Sequence, residues 1–455
     1  MNKLKPSVAV LALSLVSVLA LIAPLPARAM EVAFERDSSL PLVFINVVVK
    51  TGSVADPMGQ SGISNFMGEM LLRGTRQRTK EQIDVELDQM GAKLEVEVRA
   101  EALIMRGAVV SSQSDRFLKL LSEVVTQPSF PDQEIRKLRS EIISGIYDEL
   151  GRDQTLASRR FTKFLFRGHP YGKPVLGTIK DIEKINRAQI LAHYDRLIRD
   201  QKLLIVGAGD ATEERIQAWS KDLALARPGG EPASKVSSPE DDSFRRLRIV
   251  DKPDRTQTQI YIGQIGVRMT EPEFFPLYVG NHVFGGGSFS ARLMTEIRVK
   301  KGWSYGAYSN FRHGRQPRSW SVYLFPAAKD SAVALRTSIG MVEDLAKSGI
   351  TQSELEFAKS SLINSAGFMF NTPAKRVENK VLEKTLDLPD GFMKTYGPEM
   401  QKVTLAQVNQ ALAKYLKPNQ LAITVLGSAK DLKEPLVQAS GVTDGHVEVV
   451  PYTDE

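Results

Sequence analysis

The stretch Gly62-Ile63-Ser64-Asn65-Phe66-Met67-Gly68-Glu69-Met70-Leu71-Leu72-Arg73-Gly74-Thr75 decides how the rest of this chain is read. Ile63, Phe66, Met67, Met70 and Leu71 recur at i, i+3, i+4, i+7 and i+8, which predicts one apolar face of a helix over Gly62 to Leu72. Asn65 and Glu69 then fall one turn apart, on the side away from Phe66 and Met70. Gly68 sits in the helix interior, where it costs about 0.5–1 kcal/mol relative to Ala. Alone, the stretch fits an ordinary amphipathic helix as well as a stripped ligand-bearing one, and its surroundings have to decide.

Before it, the β-branched run Phe44 to Val49 reads as a strand. After it, Lys93 to Val98 and Ala102 to Val110 read as a hairpin, and Phe117 to Val125 and Asp132 to Glu149 as helices. Leu203 to Val206 closes this half as a strand. The pattern then returns. Ala188-Gln189-Ile190 meets Ala406-Gln407-Val408, and Leu203-Leu204-Ile205-Val206 meets Leu421-Ala422-Ile423-Thr424, at the same offset. Glu134-Ile135 meets Glu354-Leu355 two residues further on. The second half supplies a strand at Gln259 to Ile262, mostly helix from Pro276 to Arg298, a strand at Trp320 to Phe325, and helices over Ala332 to Lys347 and Gln352 to Ser365. This is one domain written twice, at a period far above that of solenoid repeats. Strands near hairpins with grouped helices predict an α+β fold of two homologous domains, each a mostly antiparallel sheet packed with helices. Residues 229–244, rich in Pro, Ser and charge, read as the linker. The domains are then 30–228 and 245–455.

Residues 1–29 read as a targeting segment. Lys3 and Lys5 precede an apolar run from Val8 to Ile22, and Pro26-Ala27-Arg28-Ala29 offers a cleavage site. An exported, periplasmic protein with no membrane attachment after cleavage is expected. Loss of Lys3, Lys5 and Arg28 lowers the net charge from +7 to +4, and no block of like charges speaks for nucleic acid. Without Cys there are no disulfides, so cohesion rests on core burial. The five His (169, 193, 282, 313 and 446) never fall three to five residues apart, which excludes a His-pair zinc site on one helix.

The stretch at 62–75 resembles the zinc helix of the insulinase/pitrilysin-type metallopeptidases, the mitochondrial-processing-peptidase-like inverted zincins, which carry H-x-x-E-H there. Thr51-Gly52-Ser53, Leu72-Arg73-Gly74-Thr75 and Gly168-His169-Pro170-Tyr171-Gly172 with Pro174-Val175-Leu176-Gly177-Thr178 are similar to the family's framing blocks. Carried over on this resemblance, Asn65 and Glu69 stand at the two His positions and Gly68 at the general base. Ser144-Gly145 replaces the Glu-Glu pair that supplies the third ligand. All these zinc-site positions are degenerate, so the resemblance implies no metal and no cofactor in this chain.

In the second half, Phe284-Gly285-Gly286-Gly287-Ser288-Phe289-Ser290 resembles the family's glycine-rich segment. It leads into a helix that ends in Glu296-Ile297-Arg298-Val299-Lys300-Lys301-Gly302-Trp303-Ser304-Tyr305. The resemblance implies substrate binding at Gly285, Gly286, Gly287 and Ser288. It implies a catalytic contribution from Arg298 and Tyr305, acting with a partner's zinc site. An always-charged Arg and a Tyr hydroxyl can clamp a peptide and stabilise a carbonyl that gains negative charge. The three glycines lack the G-K-[ST] of a phosphate loop. The expectation is a non-catalytic subunit of a heteromeric periplasmic zinc metallopeptidase. It would be inactive alone and would pair with a zinc-bearing homologous subunit around unfolded peptide. The alternative is a peptidase-derived structural or peptide-binding protein with no proteolytic partner.

Overall fold

The computed structural model describes residues 30–199, 202–225 and 236–454. The expected signal peptide at 1–29, and the part of the expected linker from 229 to 235, lie outside the described residues. Residues 236–245 form neither helix nor strand. Among the described residues, no helix is long and apolar enough to cross a membrane.

The first sheet contains β1 (Glu31–Arg36), β2 (Leu42–Val49), β3 (Lys93–Val98), β4 (Leu103–Val110) and β5 (Leu203–Gly209), in the order β1-β5-β2-β4-β3. The second contains β6 (Arg246–Asp251), β7 (Gln259–Ile265), β8 (Ser304–Phe311), β9 (Ser319–Pro326), β10 (Ala422–Gly427) and β11 (Val447–Pro451), in the order β11-β6-β10-β7-β9-β8. Adding five to each strand number of the first order gives the second, apart from the extra β11. The pairing agrees as well. β1 lies parallel to β5 and β6 parallel to β10, while β2 and β7 are antiparallel to both neighbours. The duplication expected from the sequence is therefore a duplication of topology, and the α+β class with mostly antiparallel sheets is what the chain adopts.

One face of each sheet packs on helices of its own half. Val43, Ile45, Val47 and Val49 of β2 point to the core that also buries Ile63, Phe66, Met67 and Met70. The other face is covered by the opposite half. Helix Asp153–Leu165 presses Leu156, Ala157, Phe161 and Phe164 onto Val250, Tyr261, Ala422 and Leu426 of the second sheet. Helix Pro373–Thr385 presses Val377 and Val381 onto Val48, Ile104, Leu204, Val206 and Ala208 of the first. The two helices are equivalent in the repeat, each 13 residues long. Ion pairs hold the exchange: Arg376 to Glu35 at 2.8 Å and to Asp37, Lys384 to Glu31 at 2.7 Å, and Lys252 to Asp153 at 2.7 Å.

The span Pro276 to Arg298 is mostly helical, as expected, but of mixed type. An α-helix over Phe274–Asn281 gives way to a wide turn of π-helix at His282–Gly286, a short turn at Ser288–Ser290, and a second π segment at Met294–Lys300. Tyr305 does not end a helix; it lies in β8, at the free edge of the second sheet.

Candidate functional site

The Ile63–Met70 helix is fixed at its N-terminus from outside. Asp56, buried, accepts from the backbone N–H of Gly62 (2.7 Å) and Ser64 (3.1 Å), groups that a helix start leaves without partners. Ser64 Oγ also donates to Asp56 at 2.6 Å and lies 2.8 Å from His193 Nε2. Burial pushes the Asp56 carboxyl up to about 6, against the lowering effect of its bonds from Ser64 and Gly62. Burial first, and the charge of Arg196 second, pull His193 down to about 3, so its ring is neutral. Arg196 Nη2 donates to His193 Nδ1 at 2.9 Å, which assigns the ring proton to Nε2. His193 therefore donates to Ser64 and cannot take its proton. This Asp–Ser–His group is a buried clamp on the helix and not a nucleophile with its base.

The residues on the helix do not fit a zinc ion. Asn65 Nδ2 donates to Glu69 Oε1 at 2.8 Å, so the two ligand positions satisfy each other. Burial raises the Glu69 carboxyl, with Asn65 and Arg73 opposing and the nearby charge of Glu141 adding to it. A Cβ placed on Gly68 would sit 3.0 Å from Val98 Cγ2 and 3.1 Å from Val96 Cγ1, so β3 closes over the position where a base would stand. Ser144 is exposed, Gly145 is open, and neither brings a carboxylate. Glu134 and Glu141 are both held by Arg73. One carboxylate and one amide are too few, since a zinc site takes at least three protein ligands. Among the described residues, no group of three or more His, Cys, Asp or Glu is placed to hold a metal ion.

The second-half residues come together differently. Arg298, on the π segment anchored by buried Met294 and Ile297, lies with its guanidinium carbon 4.4 Å from the Tyr305 ring and 4.7 Å from the Phe289 ring. Tyr305 is 73% exposed and Phe289 65%, although each packs against Arg298. Arg298 is half-buried and makes no ion pair with a carboxylate among the described residues, so the two rings are what hold its guanidinium. β8 beside it is an edge strand, with an irregularity between Ser304 and Ala307. Gly285 is buried, and a Cβ there would lie 2.5 Å from the Ser309 backbone N and 2.7 Å from Leu293 Cδ1. The close approach that this glycine allows is to β8 of its own chain. Of the three glycines only Gly286 is exposed. Ser288 opens the short turn that carries Phe289.

No hydrogen bond, ion pair or ring contact joins Arg298 and Tyr305 to Asn65 and Glu69 among the described residues. Sequence reasoning missed the Asp56–Ser64–His193 clamp, which spans distant segments. It also passed over Phe289, although that residue stands inside the quoted glycine-rich segment.

Residues 31–179 match the family model described as insulinase (peptidase family M16), and residues 184–362 match the one described as peptidase M16 inactive domain. The chain is similar to the non-peptidase homolog YmxG of Helicobacter pylori, 24% identical over 406 residues, covering 88% of this chain and 92% of that protein. It is also similar to an uncharacterized zinc protease of Rickettsia bellii, 29% identical over 276 residues, covering 59% of this chain and 65% of that protein. Among solved structures, the peptidase M16 inactive domain from Pseudomonas fluorescens superposes with a TM-score of 0.83 at 25% identity, over 88% of this chain and 95% of that one. A protease from Helicobacter pylori superposes at 0.77 with 15% identity, over 88% and 97%, a likeness of fold alone.

Proposed function

This chain belongs to peptidase family M16, and we propose that it acts there as a non-catalytic subunit that grips peptide for a zinc-bearing homologous partner in the periplasm. The observation that carries the proposal is Arg298, held without a carboxylate partner against the rings of exposed Phe289 and Tyr305 beside the edge strand β8. An extended peptide can add to that edge through main-chain hydrogen bonds. The Arg298 guanidinium then donates to peptide carbonyl oxygens, and the Tyr305 hydroxyl donates to a carbonyl that gains negative charge. Bond cleavage itself belongs to the partner, because Asn65, Gly68, Glu69, Ser144 and Gly145 bring neither a metal site nor a base. Location in the periplasm rests on the sequence of residues 1–29.

The test mixes the purified chain with a zinc-bearing M16 protein from the same cell and follows cleavage of an unfolded peptide. The mixture is expected to turn over faster than the zinc-bearing protein alone. Arg298→Ala and Tyr305→Phe are each expected to lower that gain, on the order of 100-fold for a lost transition-state donor. Unchanged turnover with both variants refutes the assigned role. Peptide binding with no gain in cleavage favours a peptide-binding protein without a proteolytic partner.

A further inference from the structure

Between the two halves lies an open cavity of about 850 Å³, separate from the Arg298–Tyr305 surface. It begins where β3 ends, at Val98, and its far wall comes from the segment joining β8 to β9. Its charge is one-sided. Arg99, Arg159, Lys173, Arg312 and Arg318 line it, against Glu149 alone. Three of these cations are engaged. Arg159 meets Glu149 at 3.2 Å, Arg99 pairs with Glu97, and Lys173 donates to the Asp56 carbonyl at 2.7 Å.

Arg312 and Arg318 are not engaged in this way. Arg318 stacks on the Tyr171 ring, its guanidinium carbon 4.2 Å from the centroid, and its Nε is buried without a hydrogen-bond partner. It makes no ion pair among the described residues. The nearest acid, Glu101, is already taken by Arg315, through Nε at 3.2 Å and the backbone N–H at 2.9 Å. Arg312 has only a long bond to Ser158, at 3.4 Å. Burial pulls the Arg318 pKa down and the like charge of Arg312 pulls the same way, against the opposing pull of Tyr171 and Glu101. Two guanidinium groups thus line one cavity and repel each other, and the one acid that acts on Arg318, Glu101, is shared with Arg315. Beside them, half-buried Tyr323 adds aromatic surface to the lining, its ring stacked 4.7 Å from that of buried Tyr261.

We propose that this cavity is a binding site for the carboxylate of a peptide, held by Arg312 and Arg318, with the adjoining chain lying against Tyr323. Planar guanidinium groups match the two oxygens of a carboxylate, and an anion between them removes the repulsion. The aromatic surface suits a peptide better than a free inorganic anion, which would leave it bare. The site needs neither Arg298 nor a partner subunit, so its failure would leave the function proposed above standing, and the reverse holds too.

The experiment is calorimetric titration of the isolated full-length mature chain. Four probes separate the sources: a capped peptide bearing one Glu, the same peptide with Gln, the Gln peptide with a free C-terminus, and inorganic phosphate. One carboxylate-bearing peptide is expected to bind at least about tenfold more tightly than the capped Gln peptide, the worth of one charge-assisted hydrogen bond. Which one does so identifies a side chain or a C-terminus as the source. Arg318→Gln and, independently, Arg312→Gln are expected to abolish the preference. Arg312 is exposed, so its variant keeps the test valid if Arg318→Gln fails to fold. Equal binding of all the peptides, tighter binding of phosphate, or a preference that survives Arg312→Gln overturns the proposal.

Discussion

Helix Pro373–Thr385 belongs to the second half by sequence but covers the first sheet, and this can be tested by shortening Val377 and Val381 to Ala. Both are buried, at 4% and 1% exposure, against Val48, Ile104, Leu204, Val206 and Ala208. Each change removes two methyl groups, about 1.6 kcal/mol of transfer free energy, and the cavity left behind raises this to about 2 kcal/mol. The two sites lie one turn apart and share strands, so the double variant should lose about 3–4 kcal/mol with imperfect additivity. Denaturant unfolding gives the total. Native-state hydrogen exchange gives the location. Amides of β2 and β5, over Phe44–Val48 and Leu204–Ala208, should lose protection at least as much as those of β7 and β10. Protection lost only in β7 and β10 would refute the exchange of helices. Phe161→Ala, on the equivalent helix of the first half, should give the mirror image, weakening β7 and β10.

Further outcomes follow from the same packing. Residues 30–228 expressed alone should fail to fold cooperatively, because the outer face of the first sheet stays bare; circular dichroism melts of the fragment, with and without 245–455 added, check this. His193, neutral in the fold with a value near 3 against 6.5 when free, stabilises above pH 6.5 and loses that contribution as pH falls. Asp56 is opposite in sign: raised to about 6 from 3.8, it favours the fold most below pH 3.8 and loses that contribution as pH rises through 6. The two offset each other between pH 6 and 4. Asp56→Asn should therefore unmask a loss approaching about 1.4 kcal/mol per pH unit in that window, read from denaturation midpoints against pH; an unchanged slope contradicts it. Rebuilding the motif with Asn65→His, Gly68→Glu and Glu69→His should yield no hydrolysis and should lower stability by about 1–3 kcal/mol, because Val96 and Val98 crowd position 68. Metal analysis and a melting curve test this.

Much of the architecture was legible because it follows from period and repetition. The helix at 63–70 announces itself by the spacing of Ile63, Phe66, Met67 and Met70, and the two halves by their matching segments. β8 was not legible. Its buried positions are Ser304, Gly306, Ala307 and Ser309, all small, with Gly285 packed against Ser309, and the irregularity after Ser304 breaks the alternation that marks a strand. The exchanged helices were hidden for another reason. An amphipathic helix displays which face it buries, but not which of two similar sheets it covers. The site shows the same division. Asn65, Gly68 and Glu69 could be read from one helix, whereas the clamp on that helix joins Ser64 to His193 across 129 residues. The cation–π stack around Arg298 depends on Phe289 reaching back from a turn, which no periodicity encodes.

The proposed division of labour comes down to a titration. This chain is added to a fixed amount of a zinc-bearing M16 protein from the same cell, with zinc content and peptide cleavage measured throughout. The chain should carry no zinc and cleave nothing alone. Cleavage by the mixture should climb until one equivalent has been added, and Arg298→Ala should blunt the climb. Stoichiometric zinc on the isolated chain with hydrolysis by it alone would contradict this, as would a rate that ignores its addition.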